Sequence, residues 1–126
     1  MIPVRILLID DDDLLCDLLA TLLGLEGYEV TRAANGEEGL AILNQQQFDV
    51  ILLDLLMPRL DGLRFLRILR ETGQAAPPII VLSASATGDV SAALRSTGIA
   101  AQIRKPVQPE TLLETLAIVL AGRKPD

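Results

Sequence analysis

The sequence has no histidine and no tryptophan, a single cysteine, and only one tyrosine and two phenylalanines among its 126 residues. Without histidine, imidazole acid–base catalysis and histidine metal sites are excluded. Cys16 alone makes no intramolecular disulfide, which fits a reducing compartment and predicts a cytoplasmic protein. With aromatics at 2%, the core must be built from Leu, Ile, Val and Ala. No apolar run approaches the roughly 18 residues that span a bilayer, so no membrane association is expected. The apolar stretch after Met1–Arg5 is short and runs into four aspartates, which is not the pattern of a signal peptide. Positive charge is in deficit: Lys+Arg 11 against Asp+Glu 17 leaves a net charge of −6. Such a surface argues against direct nucleic-acid binding through phosphates.

What the chain does have is hydrophobicity, at 50% of residues, in a length that suits one domain. Short apolar runs alternate with helical patterns. Arg5–Ile9 reads as a buried strand stopped by Asp10. Leu14, Leu15, Leu18, Leu19, Leu22 and Leu23 predict a helix with a wide apolar face, ended by Gly24 and Gly27. Tyr28–Ala33 is a second strand, and Asn35-Gly36-Glu37-Glu38 has capping-box spacing before a second helix. Phe48–Leu53 is a third strand, closed by Asp54. Asp61 is placed to cap a third helix with Leu63, Leu66 and Leu69 inward and Arg64, Arg67 and Arg70 outward. Ile79–Leu82 is a fourth strand ending at Ser83, and Ser85–Gly98 is a loop with a weak fourth helix. Ala100–Arg104 is a fifth strand, and Pro109 opens a last helix carrying Leu112, Leu113, Leu116 and Leu120.

Strands alternating with helices imply an α/β domain around a parallel sheet. In such open sheets the ligand site lies at the carboxyl ends of the strands. The residues there are Asp10 and Asp11 with Asp12 and Asp13 behind them, Asp54, Ser83 and Lys105. Crowded carboxylates repel unless a cation joins them, and carboxylate oxygens suit a hard ion such as Mg²⁺. A metal and a lysine beside a carboxylate are what phosphoryl transfer to that carboxylate requires, because both neutralise charge on phosphoryl oxygens. Asp12 and Asp13 read as charges favouring the start of the first helix. Cys16 reads as a small packed residue.

The runs Ile6-Leu7-Leu8-Ile9-Asp10-Asp11, Asp54-Leu55-Leu56-Met57-Pro58-Arg59-Leu60-Asp61-Gly62, Ser83-Ala84 and Lys105-Pro106 together resemble the receiver domain of two-component response regulators. The resemblance covers residues 4–121, leaving 122–126 as a frayed tail and no output domain within this chain. It implies a doubly wound, flavodoxin-like (βα)5 fold: a five-stranded parallel sheet of order 2-1-3-4-5 with helices on both faces. It also implies a signalling phosphoacceptor rather than an enzyme acting on other substrates. Such a domain takes a phosphoryl group from a sensor histidine kinase or phosphotransfer protein in a reaction that needs Mg²⁺ or Mn²⁺. Asp54 matches the phosphoacceptor. Asp10, Asp11, Asp54 and the Leu56 carbonyl match the metal ligands. Ser83, Ala84 and Lys105 match the residues that hold the phosphoryl group, and Pro106 matches a cis proline. The signal would leave through the face of the fourth helix, fifth strand and fifth helix, which is also a homodimer surface in such domains. The chain departs from the pattern at Gln102, where an aromatic switch residue is usual, and Gln102 is expected to stay outward. The alternative is a degenerate receiver that works as a phosphorylation-independent interaction module. A dehalogenase-type phosphatase would need an aspartate where Leu56 stands, and a flavin carrier would not place four aspartates at its phosphate loop.

Overall fold

In the computed structural model, residues 3–55, 62–72, 76–83 and 99–122 are described. Five strands form one parallel sheet: β1 (Arg5–Ile9), β2 (Glu29–Ala33), β3 (Val50–Asp54), β4 (Ile79–Ser83) and β5 (Ala101–Arg104). Their order is β2-β1-β3-β4-β5, as the resemblance implied. The described helices are α1 (Asp13–Leu25), α2 (Gly36–Leu43), α3 (Gly62–Glu71) and α4 (Pro109–Ala121). None is long and apolar enough to cross a membrane. The helix expected over Ser85–Gly98, the Asp61 cap and residues 123–126 of the expected tail lie outside the described residues.

The central strands are apolar on both faces because both faces are covered. Ile6, Leu8, Val50, Leu52, Ile80, Leu82 and Ile103 face one layer, where Cys16, Leu19 and Leu23 of α1 meet Leu112 and Leu116 of α4. Leu7, Ile9, Ile51, Leu53, Ile79 and Val81 face the other, packing on Phe65 and Leu66 of α3 and on Leu40 of α2. Alternation along β1, β3 and β4 therefore feeds two cores.

Local chemistry sets the helix starts. The Asp12 carboxylate accepts from the Leu15 N–H, and the Asn35 side chain accepts from the Glu38 N–H. Each satisfies one of the donors a helix leaves unpaired at its first turn. Gly27, at φ 90°, turns the chain from α1 into β2, a conformation that side chains with a β-carbon rarely adopt. On α1 the buried stripe is narrower than the run of leucines predicts. Cys16, Leu19 and Leu23 are buried, whereas Leu14 and Leu18 are 82% and 64% exposed. The sheet offers a helix one line of contact, so a face wider than that line stays in water. On α3 the three arginines are exposed as expected, but the largest buried side chain is Phe65, which the leucine spacing passed over.

The start of α3 is pressed against the end of β3. A β-carbon on Gly62 would lie 2.7 Å from Leu55 Cα and 2.8 Å from the Asp54 carbonyl oxygen, both backbone atoms that cannot step aside. The Gly62 N–H donates to the Leu55 carbonyl at 3.1 Å. By contrast, nothing lies within 4 Å of a β-carbon at Gly24, inside α1. Gly62→Ala is therefore expected to destabilise the fold by about 1–3 kcal/mol, the usual scale for overpacking. Gly24→Ala should be neutral or stabilising by up to roughly 1 kcal/mol, because glycine is a poor helix former. Denaturant unfolding of the two variants checks the contrast, and equal effects would show that the Gly62 contact is not a constraint.

Candidate functional site

Asp10, Asp54 and Ser83 are buried polar residues, 2%, 4% and 2% exposed, and each stands at the carboxyl end of a strand. Parallel register puts the ends of β1, β3 and β4 side by side: Ile9 pairs with Leu53, and Asp54 with Leu82. Asp11, next in the chain, is exposed. One carboxylate oxygen from each of Asp10, Asp11 and Asp54 lies within 4.8 Å of the others, a grouping that can hold a metal ion. Three carboxylates and no nitrogen or sulfur donor suit a hard divalent cation. The cluster thus fits the ion that the resemblance implies. The Leu56 carbonyl, assigned as a further ligand, and Ala84 lie outside the described residues.

Lys105 is the cation set against these carboxylates. Its Nζ donates to Asp10 Oδ2 at 3.0 Å and lies 3.5 Å from Asp54 Oδ1. Burial pulls the Lys105 ammonium toward losing its proton, but the hydrogen bond and charge of Asp10, with the charge of Asp54, outweigh that. Its pKa is raised above the ordinary lysine value. The other Asp10 oxygen, Oδ1, accepts from the Asp12 N–H at 3.0 Å. Asp12 is therefore more than a helix charge: its backbone steadies Asp10 while its side chain caps α1.

Backbone bonds pin the strand ends. The Asp10 N–H donates to Ala33 O at 3.1 Å, Leu55 N–H to Leu82 O at 3.3 Å, and Lys105 N–H to Ser83 O at 2.7 Å. The Lys105–Pro106 peptide is cis. Cys16 reaches back from α1, its Sγ donating to the Asp10 carbonyl at 3.4 Å. Nothing in the sequence pattern pointed to that contact.

Gln102 is exposed, yet its amide is engaged: Nε2 donates to Ser83 Oγ at 3.0 Å, a contact that the expectation of an outward side chain did not include. The expectation rested on the cost of burying an amide without a partner. Ser83 supplies the partner while the rest of Gln102 stays exposed, so that cost does not arise.

The model of the response regulator receiver domain family matches residues 6–117. Response regulator MprA of Mycolicibacterium vanbaalenii is 38% identical over 124 residues, which are 98% of this chain and 53% of that protein. This chain thus spans about half the length of the first curated relatives it matches. Protein PilH of Pseudomonas aeruginosa is 34% identical over 119 residues, 94% of this chain and 98% of PilH. Among solved structures, the Vibrio cholerae chemotaxis protein CheY4 superposes with a TM-score of 0.87 at 33% identity, over 94% of this chain and 99% of that one.

Burial, and next the charge of Asp10, push the Cys16 thiol up from 9.0 to about 11. The group holds its proton more tightly folded than unfolded. Its contribution to stability is therefore complete below 9.0 and is lost as pH rises toward about 11, where the unfolded chain ionises first. Denaturant unfolding across that window should show the parent losing stability, and Cys16→Ala losing less over the same interval. An identical slope in both proteins would contradict the assignment.

Proposed function

The chain belongs to the response regulator receiver domain family, and from that membership we propose that it is a cytoplasmic signalling phosphoacceptor whose Asp54 receives a phosphoryl group. The observation that carries the reading is the Asp10, Asp11 and Asp54 cluster with Lys105 bridging Asp10 and Asp54. An Asp54 carboxylate oxygen attacks the phosphorus of a phosphohistidine on a sensor kinase or phosphotransfer protein. The new O–P bond forms as the P–N bond breaks, and the electron pair leaves with the imidazole nitrogen, which takes up a proton. Lys105 donates to one phosphoryl oxygen, and Ser83 offers its hydroxyl to another. Both remain in the same protonation state before and after transfer.

Asp10, Asp11 and Asp54 would hold Mg²⁺ or Mn²⁺, with the Leu56 carbonyl as a further ligand. When bound, the ion supplies positive charge against the phosphoryl oxygens. The unit spans residues 4–121, and its output face is the fourth helix, fifth strand and last helix of the family, offered to a partner, an attached output domain or a second copy. A phosphorylation-independent module has no need of a half-buried lysine bridging two buried carboxylates, and the presence of that bridge favours the phosphoacceptor.

Incubation with Mg²⁺ and acetyl phosphate, followed by intact mass measurement, tests the reading. The parent should gain one phosphoryl group, with acetate as the leaving group, and Asp54→Asn should gain none. Labelling of Asp54→Asn to the parent's level would remove Asp54 from its role.

A further inference from the structure

Gln102 stands on β5 opposite Val81, two residues before Ser83 on β4. Paired residues of neighbouring strands project to the same side of a sheet, and residues two apart share a face. Gln102 and Ser83 are therefore diagonal neighbours, and a glutamine side chain is long enough to span them. The amide donates to Ser83 Oγ at 3.0 Å, and Ser83 itself is buried.

A serine hydroxyl has one proton and two lone pairs. The Gln102 amide takes a lone pair from the β5 side. A hydroxyl proton cannot bond to an N–H donor, so it is left for an acceptor elsewhere. In the sheet order, β4 lies between β5 and β3, and β3 ends at Asp54. We propose that Gln102 is a positioning residue: its amide holds the Ser83 hydroxyl as a donor toward the phosphoryl group on Asp54, and so ties β5 to the phosphorylation state by a hydrogen bond. This rests on the phosphoacceptor reading above. The position usually filled by an aromatic ring is thus occupied by a side chain that touches the hydroxyl residue directly. Loss or gain of the phosphoryl group changes the hydrogen bonding of Ser83, and Gln102 conveys that change to the outer strand of the sheet.

The test is a double-mutant cycle on the full chain, with beryllofluoride and Mg²⁺ as the phosphoryl mimic. Parent, Gln102→Met, Ser83→Ala and the double variant are titrated, and binding is read by the ¹⁹F resonances of the bound mimic. Methionine keeps the length of glutamine and removes its hydrogen bond. Gln102→Met should weaken the mimic by about three- to tenfold, the scale of one hydrogen bond. In the Ser83→Ala background the same change should cost nothing, because its partner is gone. Gln102→Asn keeps the amide but is too short to reach, and should behave as Gln102→Met does. Equal losses with and without the Ser83 hydroxyl, or no loss in Gln102→Met, would overturn the coupling. A parent that binds no mimic and takes no label from acetyl phosphate would instead overturn the phosphoacceptor reading, and the coupling with it.

Discussion

Three carboxylates meet at one edge of the sheet, and the structure has to hold them there against their mutual repulsion. Asp10, Asp11 and Asp54 bring oxygens within 4.8 Å of one another, and two of the three residues are buried. Water cannot screen charges at that depth as it does at a surface. Lys105 offsets part of the repulsion with its contacts to Asp10 and Asp54. The Asp12 N–H and the helix start behind it offset more. A cation held by the three clustered oxygens would offset the rest.

The fold makes that placement unavoidable. A parallel sheet puts all its carboxyl ends on one edge. Each of β1, β3 and β4 passes through the core as an unbroken apolar run, and the first polar residue after the core falls at that edge. Asp10, Asp54 and Ser83 are thus fixed by the strands' packing on both faces and by backbone bonds at their ends. Gly62 serves the same edge from the other side, letting α3 start against the backbone of Asp54 and Leu55.

Much of this was legible in the sequence, for a physical reason. Asp10, Asp54 and Ser83 stand out because each interrupts a short apolar run, Lys105 because it follows the last strand directly before Pro106, and the strand-end rule turns those positions into one crevice. The Asn35 cap and Pro109 at the start of the last helix were legible because capping chemistry is local. The breadth of the α1 leucine face was misread, since Leu14 and Leu18 are exposed and only the packed line of α1 is buried. Phe65 was missed because one aromatic among leucines and arginines does not alter the period. The Gln102–Ser83 hydrogen bond depends on the register of β5 against β4, which no local pattern encodes. The same is true of the Cys16 contact with the Asp10 carbonyl, which depends on where α1 lies over the sheet.

The balance of charge at the strand ends is tested most directly by a Mg²⁺ titration of thermal stability at constant ionic strength. Ligand that binds only the folded state stabilises by mass action, by about 1.4 kcal/mol at ten times its dissociation constant. The parent's melting temperature should rise with Mg²⁺, and Asp11→Asn should lose most of that rise, since Asp11 contributes one of the three clustered oxygens. A parent that shows no Mg²⁺-dependent rise, or an Asp11→Asn variant that responds as the parent does, would contradict it.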